Sequence, residues 1–481
     1  MPCTTLLVGK NASYDGSTLI ARNDDSQSTR FTPKKLAVIH PEQQNRVYET
    51  VLSHLKIQLP DNPMRYTAMP NALKGEGIWA ASGINEAEVA MTATETITSN
   101  PRVLGADPFV EYDEETNTPG GIGEEDIVYL VLPYIHSARE GVLRLGSLLE
   151  KYGTYEMNGI AFSDYDEIWW LETIGGHHWI ARRVPDDAYV VMPNQLGIDT
   201  FDLKDAFTTQ ENHLCSDDLK EFIEKNHLCL NLDDSFNARY AFGSHDDSDH
   251  VYNTPRDWFI RRYLNPHTYK WDGENADFTP FSDDIPWTMV PERKITVEDV
   301  KYALSTHFQN TPYDPYITRG DLSNKGALRP VGINRNGFLS VLQVRQGQEP
   351  IEWFTFGSNV FNTLVPLYIH IDTVPEYYSN TTAEVSTDNY WANRLIGAMA
   401  DACDKQSAIH IERYQRVVQS HSHHIIHTYD ELIEKETDEA RKTELRHEAN
   451  QKAADMLKKE TSKTLHLVLD TMKNKFARSD A

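Results

Sequence analysis

Residues 4–9 form a short run of apolar and β-branched side chains, and residues 10–16 interrupt it with Lys, Asn, Ser, Asp and Gly. Such an interruption between two apolar runs is turn chemistry. Residues 17–22 therefore predict the second strand of a hairpin, ended by Asn23-Asp24-Asp25. Another strand pair is predicted at 77–82 and 88–94, with Gly83-Ile84-Asn85-Glu86 as its turn. From residue 124 the period changes. Ile127, Leu130, Val131, Tyr134, Ile135 and Ala138 recur three and four apart, which lays them on one side of a helix. Pro133 predicts a kink, and a second helical stretch covers 137–151, before Gly153. Strand patterns return at 159–163, 167–173, 178–183, 189–192, 338–345 and 352–357.

The last hundred residues are helical in pattern. Trp391, Leu395, Met399 and Ala402 share one face, as do Leu465, Val468, Leu469, Met472 and Phe476. Between them, residues 434–463 are dense in Glu, Lys and Arg and read as solvated helix. No internal repeat and no Gly/Ser/Pro-rich linker divides the chain. The pattern predicts an α+β body over residues 1–385, with a helical C-terminal extension, 386–481, packed on it.

The chain has 481 residues, of which 40% are hydrophobic and 25% charged, with a net charge of −26. That acidity argues against nucleic acid as a partner, because no cationic excess exists to neutralise phosphates. No run approaches the ~18 apolar residues of a membrane helix, and no secretory signal is visible at the start. Neither a membrane nor an export route is therefore expected. The four cysteines, at 3, 215, 229 and 403, form no CxxC. A disulfide scaffold is excluded at this length and a reducing, cytoplasmic setting is expected.

Cys3 carries the most chemistry. A Cys so near the start fits a frayed tail, and a lipid anchor would need an apolar segment ahead of it. The strand pattern that begins at Thr4 argues against fraying. With the residues before it removed, Cys3 would present an α-amine beside its own thiol. An α-amine titrates near 7.7–8.0, so it can act as base for that nucleophile.

Cys3-Thr4-Thr5, Asp15-Gly16-Ser17-Thr18 and Ala21-Arg22-Asn23-Asp24-Asp25 together resemble the start of the N-terminal-nucleophile cysteine hydrolases. The likeness is nearest to the dipeptidase A family and more distant to penicillin V acylase and bile-salt hydrolase. Further segments extend it in order: Gly83-Ile84-Asn85-Glu86 with Thr94-Glu95-Thr96, Pro193-Asn194-Gln195, Tyr252-Asn253-Thr254-Pro255-Arg256 running on to Leu264-Asn265-Pro266, and Tyr313-Asp314-Pro315-Tyr316 with Arg319-Gly320-Asp321. The resemblance implies a four-layer αββα sandwich and a cysteine-type dipeptidase working through a thioester, without metal or organic cofactor, on small peptide substrates. Assembly into a homo-oligomer is compatible with it.

The same resemblance implies roles. Cys3 is the nucleophile and mature N-terminus. Arg22 and Asp25 are the Arg-x-x-Asp pair, Asp25 accepting from the α-ammonium and Arg22 holding the thiolate charge. Asn194 binds the oxyanion. Arg256 is the second site arginine, with Arg261 and Arg262 as alternatives. Where the acylase relatives carry an oxyanion Asn, this chain reads Thr94-Glu95-Thr96; an ionised Glu95 cannot donate a hydrogen bond. The second oxyanion donor is left to another group, such as a backbone N–H. Glu95 or Asp25 would meet a substrate ammonium and Arg256 its carboxylate. An acylase of the same superfamily and an unprocessed, hydrolase-like binding protein are the alternative readings.

Two other features invite attention. His421-Ser422-His423-His424 with His427 has zinc-compatible spacing, but no HExxH accompanies it and a solvated His-rich face is expected. Gly120-Gly121-Ile122-Gly123 and Gly175-Gly176 lack the setting of a phosphate cradle, and His177-His178 reads as a strand-edge feature.

Overall fold

Alternation of β-branched and apolar residues makes Thr4–Val8 and Thr18–Asp25 strands, paired antiparallel with Leu6 opposite Ala21. The structure, a computed structural model, describes residues 3–26, 30–93, 95–233, 235–244 and 246–473, and of Glu95 the backbone only. Met1, Pro2, Thr94 and Phe476, which the sequence reading draws upon, lie outside the described residues. The first strand sits inside a seven-stranded antiparallel sheet, in the order Thr288–Met289, Tyr189–Met192, Thr4–Val8, Thr18–Asp25, Asn336–Val344, Ile351–Phe356, Val365–Tyr368. A second antiparallel sheet runs His213–Cys215, Trp179–Val184, Ile168–Thr173, Asn158–Ser163, Ala90–Thr92, Ser82–Ile84, and Glu95–Thr96 also pairs with Asn158–Ser163.

The two sheets share a core. Leu7, Ile20, Val190 and Leu342 of the first pack with Ile84, Ala161, Trp170 and Ile180 of the second. Side chains of opposite parity, Leu6, Leu19 and Ala21, pack outward against Phe259 and Ile260 of the helix Thr254–Leu264. On the far side, Ile160, Trp169 and Leu171 pack with the helices Glu124–Val131 and Ala138–Tyr152. Between those helices Pro133 interrupts the hydrogen-bond ladder with a 3-10 turn, Leu132–Tyr134. The Ser137 side chain caps the second helix, accepting from the Glu140 N–H at 3.1 Å.

Two expectations need correction. Gly83 and Ile84 lie within the strand Ser82–Ile84, not in a turn. The reversal falls after them, where the Asn85 carboxamide oxygen accepts from the N–H groups of Ala87 and Val89. Gly83 is required there by contact: a Cβ would come within 1.8 Å of the Thr67 carbonyl oxygen. Residues 77–81 form no strand, and Trp79 and Ala81 take positive φ values of 51° and 46°.

The C-terminal helices are Asn389–Ala402, Asp404–Lys435 and Glu439–Met472. The first buries Tyr390, Asn393, Ile396 and Ala400, a face displaced from the predicted one, and leaves Ala402 exposed. The charged stretch 434–463 is only half solvated. Its small residues Ala449, Ala453 and Ala454 are buried and let the helix approach the sheet closely. Asn450 exchanges hydrogen bonds of 2.8 and 2.9 Å with the backbone of Tyr368 at the sheet edge. His423 of the His-rich face pairs with Glu298 at 2.5 Å. No described helix is long and apolar enough to cross a membrane.

Glu352 gives this core a pH dependence. It lies mid-strand opposite Leu342 and Leu367, and burial pushes its carboxyl from 4.5 up to about 7. A carboxyl raised in the folded state favours folding in its protonated form. Its contribution is full below pH 4.5, falls as pH rises, and is lost above 7. Glu352→Gln, which cannot ionise, is expected to raise stability at pH 8 by on the order of 1–3 kcal/mol and to change little at pH 4.5. Thermal melts of both proteins at the two pH values test this.

Candidate active site

The register of the first sheet assembles the site. Thr4 lies opposite Asn23, and Thr5 lies opposite both Arg22 and Met192. Carried toward the chain start, that register puts Cys3 between Asp24 on one side and Asn194 on the other. Because side chains alternate, Arg22 and Asp24 share the face of the Cys3 thiol. Arg22 Nη2 lies 3.0 Å from Cys3 Sγ and 2.9 Å from Glu124 Oε1. Asp24 Oδ1 is 3.7 Å from the sulfur and 3.4 Å from Arg22 Nη2. Cys3, Arg22, Asp24 and Glu124 are all buried.

Asp25 occupies the other face. Its carboxylate is held by Arg329 and by Asn336 Nδ2, the latter at 2.5 Å. Burial pushes the Asp25 carboxyl up, against the pull of Arg329 and Arg256. The carboxylate beside the thiol is thus Asp24, not the Asp25 of the expected pair. The reason is strand parity: the strand continues through Asp25 instead of ending at Arg22. Lys34 backs Asp24 from a loop, with Nζ 3.7 Å from Asp24 Oδ2 and donating to the Trp79 carbonyl at 3.0 Å. Burial lowers the Lys34 amine below the usual lysine range, and Asp24 opposes that.

Asn194 follows Pro193, beyond the strand Tyr189–Met192. Its Oδ1 accepts from the Cys3 N–H at 3.2 Å and from Arg256 Nη2 at 2.7 Å. Its Nδ2 donates to the Thr96 carbonyl at 2.9 Å. Two donors at one end and a carbonyl at the other fix the orientation of the amide.

Arg256 enters from the first turn of the helix Thr254–Leu264. Nε donates to Tyr252 O at 2.7 Å, Nη1 to Thr4 Oγ1 at 2.7 Å and to the Cys3 carbonyl, and Nη2 to Asn194 Oδ1 and Asn253 Oδ1 at 2.7 Å each. A guanidinium has five N–H donors, and here all five meet protein acceptors. Arg256 therefore holds the site together and keeps no donor for a substrate carboxylate, contrary to the binding role expected of it. The alternatives lie elsewhere: Arg261 pairs with Asp257 at 2.5 Å and Arg262 with Asp272 at 2.8 Å. The Glu95 side chain is outside the described residues.

Asp24, Lys34, Glu124 and Asn253 were missed by the sequence reading. Asn253 carries Arg256 on its Oδ1 and donates to the Asn194 carbonyl at 3.1 Å. Register alone could have named Asp24. Lys34 and Glu124 reach the site from a loop and a helix start, for which no local pattern exists.

Asp24→Asn is expected to lower kcat by about 10²-fold or more, by weakening the positions of Arg22 and the sulfur. Asp25→Asn leaves Arg329 without its counter-charge and is expected to cost about 3–5 kcal/mol of stability, with the smaller loss in kcat at temperatures where both variants are folded. Melts and kcat of the two variants side by side test the assignment; a greater kcat loss in Asp25→Asn would reverse it.

A profile of Peptidase family C69 matches residues 2–417. The chain is 53% identical to a dipeptidase of Bifidobacterium longum (strain NCC 2705), the match covering 100% of both chains. It is 51% identical to a probable dipeptidase A of Streptococcus pyogenes serotype M3 (strain SSI-1), again over 100% of both. Against dipeptidase A of Lactobacillus helveticus the identity is 43%, over 97% of this chain and 96% of the other. A match of that extent, spanning the strands and loops that assemble around Cys3, means that the chain belongs to peptidase family C69.

Proposed function

We propose that this chain, a cysteine peptidase that hydrolyses dipeptides, does so with Cys3 as an N-terminal nucleophile. The observation that carries this is the buried guanidinium of Arg22, 3.0 Å from the Cys3 sulfur, with the Cys3 nitrogen held by Asn194 on the neighbouring strand position. A guanidinium there stabilises a thiolate.

Removal of the residues before Cys3 frees the α-amine. That amine takes the thiol proton, and the sulfur attacks the peptide carbonyl carbon. The carbonyl electrons move to oxygen, where the Asn194 amide suits a developing oxyanion as a neutral donor. Collapse expels the amine product, which takes the proton from the α-ammonium and leaves a thioester. Water, deprotonated by the α-amine, attacks the thioester. The acid product departs and the thiol recovers its proton. Arg22 touches the sulfur, with Asp24 and Glu124 holding its guanidinium. Arg256 acts by positioning Asn194 and the Cys3 backbone. This chemistry needs no metal or organic cofactor. The fold read with this mechanism is the four-layer αββα sandwich, supported by the core that the two sheets share and by the helices packed on their outer faces.

Reading both ends of a dipeptide makes length the test. An extended third residue adds roughly 3.3–3.6 Å and carries the carboxylate past its partner. Blocking either terminus is expected to cost on the order of 2–5 kcal/mol of transition-state binding where it leaves a buried charge unpaired. Comparing kcat/KM for a dipeptide, its amide, its N-acetyl form and a tripeptide decides it. An N-acetyl form cut as fast as the free dipeptide would favour an acylase.

A further inference from the structure

One buried cation of the helix Asn389–Ala402, Arg394, reaches the end of the strand that carries Arg22 and Asp24. Buried arginines ordinarily meet an opposite charge. Among the described residues no carboxylate forms an ion pair with Arg394, and its donors go to neutral oxygens. Nη1 donates to the Asn334 carbonyl at 2.5 Å and Nη2 to Ser26 Oγ at 3.3 Å. Nε and Nη2 also donate to the Tyr390 hydroxyl, one helical turn back, at 3.1 and 3.0 Å. The guanidinium lies 4.2 Å from the centroid of the Phe31 ring, within cation–π range.

These contacts fall on three separate segments, and each leads to a residue of the site. Ser26 directly follows Asp24 and Asp25. Its hydroxyl also accepts from the Thr32 N–H at 3.2 Å, which ties the strand end to the loop that brings Lys34 to Asp24. Phe31 stands in that same loop. Asn334 lies two residues before Asn336, the donor to Asp25. Between them, the Arg335 carbonyl accepts from the Ser26 N–H at 2.8 Å, and Arg335 Nη1 donates to the Ser26 carbonyl at 3.3 Å. A planar fork meets acceptors in several directions at once, and here it gathers a strand end and two loops on one group. Tyr390 shows how near the helix comes to the thiol: burial pushes its phenol up, Arg394 opposes this, and the charge of Asp24 adds to it.

We propose that Arg394 is a positioning residue for the hydrolysis, acting through Ser26 and the Phe31 loop to hold Asp24 and Lys34, and through them Arg22, against the Cys3 sulfur. The C-terminal helix is then part of the working site and not only a cover on the sheet. The proposal rests on Cys3 as the nucleophile.

Steady-state kinetics and the pH dependence of Cys3 alkylation by iodoacetamide, followed by peptide mass, test it at temperatures where circular dichroism shows each variant folded. Arg394→Met and Arg394→Lys are expected to lower kcat by about tenfold or more, with KM within about threefold. The pH midpoint of Cys3 alkylation should rise by at least about half a unit, because a displaced Arg22 holds the thiolate less well. Ser26→Ala removes one acceptor and should move both readouts in the same direction to a smaller extent. It keeps the test open if the Arg394 variants fail to fold. Combined in Ser26→Ala/Arg394→Lys, the two losses should multiply to less than the product of the singles, since one contact is removed twice. Asn393→Ala is the control: its amide donates to the Phe356 carbonyl at 2.9 Å from the same helix, so its loss should lower the melting temperature and leave kcat within about twofold. Unchanged kcat and midpoint in the folded Arg394 and Ser26 variants, or an equal loss of kcat in Asn393→Ala, would overturn the proposal. Wild-type protein alkylated at Cys3 that still hydrolyses dipeptides would overturn the nucleophile reading and this proposal with it.

Discussion

Cys3→Ala is expected to lose dipeptide hydrolysis by at least about 10⁴-fold, because the variant keeps the binding groups but has no atom to form the thioester. Its fold should survive. The side chain loses one sulfur, and the strand ladder from Thr4 to Val8 does not depend on it. The other cysteines supply the control. Cys403 donates to the Met399 carbonyl at 2.9 Å, and burial pushes the Cys215 thiol up to about 12, which makes it a poor nucleophile at neutral pH. Replacing Cys215, Cys229 or Cys403 should leave kcat/KM within about twofold. Steady-state kinetics with circular dichroism on the four variants separate chemistry from folding.

The second large effect belongs to Arg256. Removing its side chain leaves five acceptors around Cys3, Thr4, Asn194, Tyr252 and Asn253 without their donor. Arg256→Met should therefore cost about 3–5 kcal/mol of stability and release Asn194 from its orientation. Arg256→Lys should rescue little. A lysine presents three donors from one atom, whereas the acceptors here surround a planar fork. Substrate titration adds a readout that a binding role would not share. With Arg256 as a strut, kcat falls at temperatures where the variant is folded; with Arg256 on the substrate carboxylate, KM would rise instead.

What could be read from the sequence follows the range of the interactions. The hairpin of Thr4–Val8 and Thr18–Asp25 is local, so its alternation and turn residues announced it, whereas the place of Arg22 beside Cys3 was named through the family pattern. The choice between Asp24 and Asp25 depended on whether the strand ran through three polar residues. Asn23-Asp24-Asp25 looks like an ending, yet each residue finds a partner across the sheet or from a neighbouring loop, which keeps the strand intact. Asn194 and Arg256 were named through the family pattern. The work of Arg256 was not legible, because a donor count needs all of its acceptors in space. Lys34 and Glu124 have no signature of their own. The first lies in a loop, and the second opens a helix that the sequence shows mainly through its apolar stripe. In the C-terminal region, dense charge suggested a solvated helix, but the few alanines on its buried side decided the packing. Average polarity hides a narrow stripe of small residues.

With Cys3 as an N-terminal nucleophile, the working enzyme must begin at Cys3. Intact-mass analysis of a purified sample, with the active fraction counted by stoichiometric thiol alkylation, tests it most directly. The fraction starting at Cys3 should equal the active fraction, with the alkyl group on that N-terminal residue. Full activity in protein that retains Met1 or Pro2 throughout would contradict it.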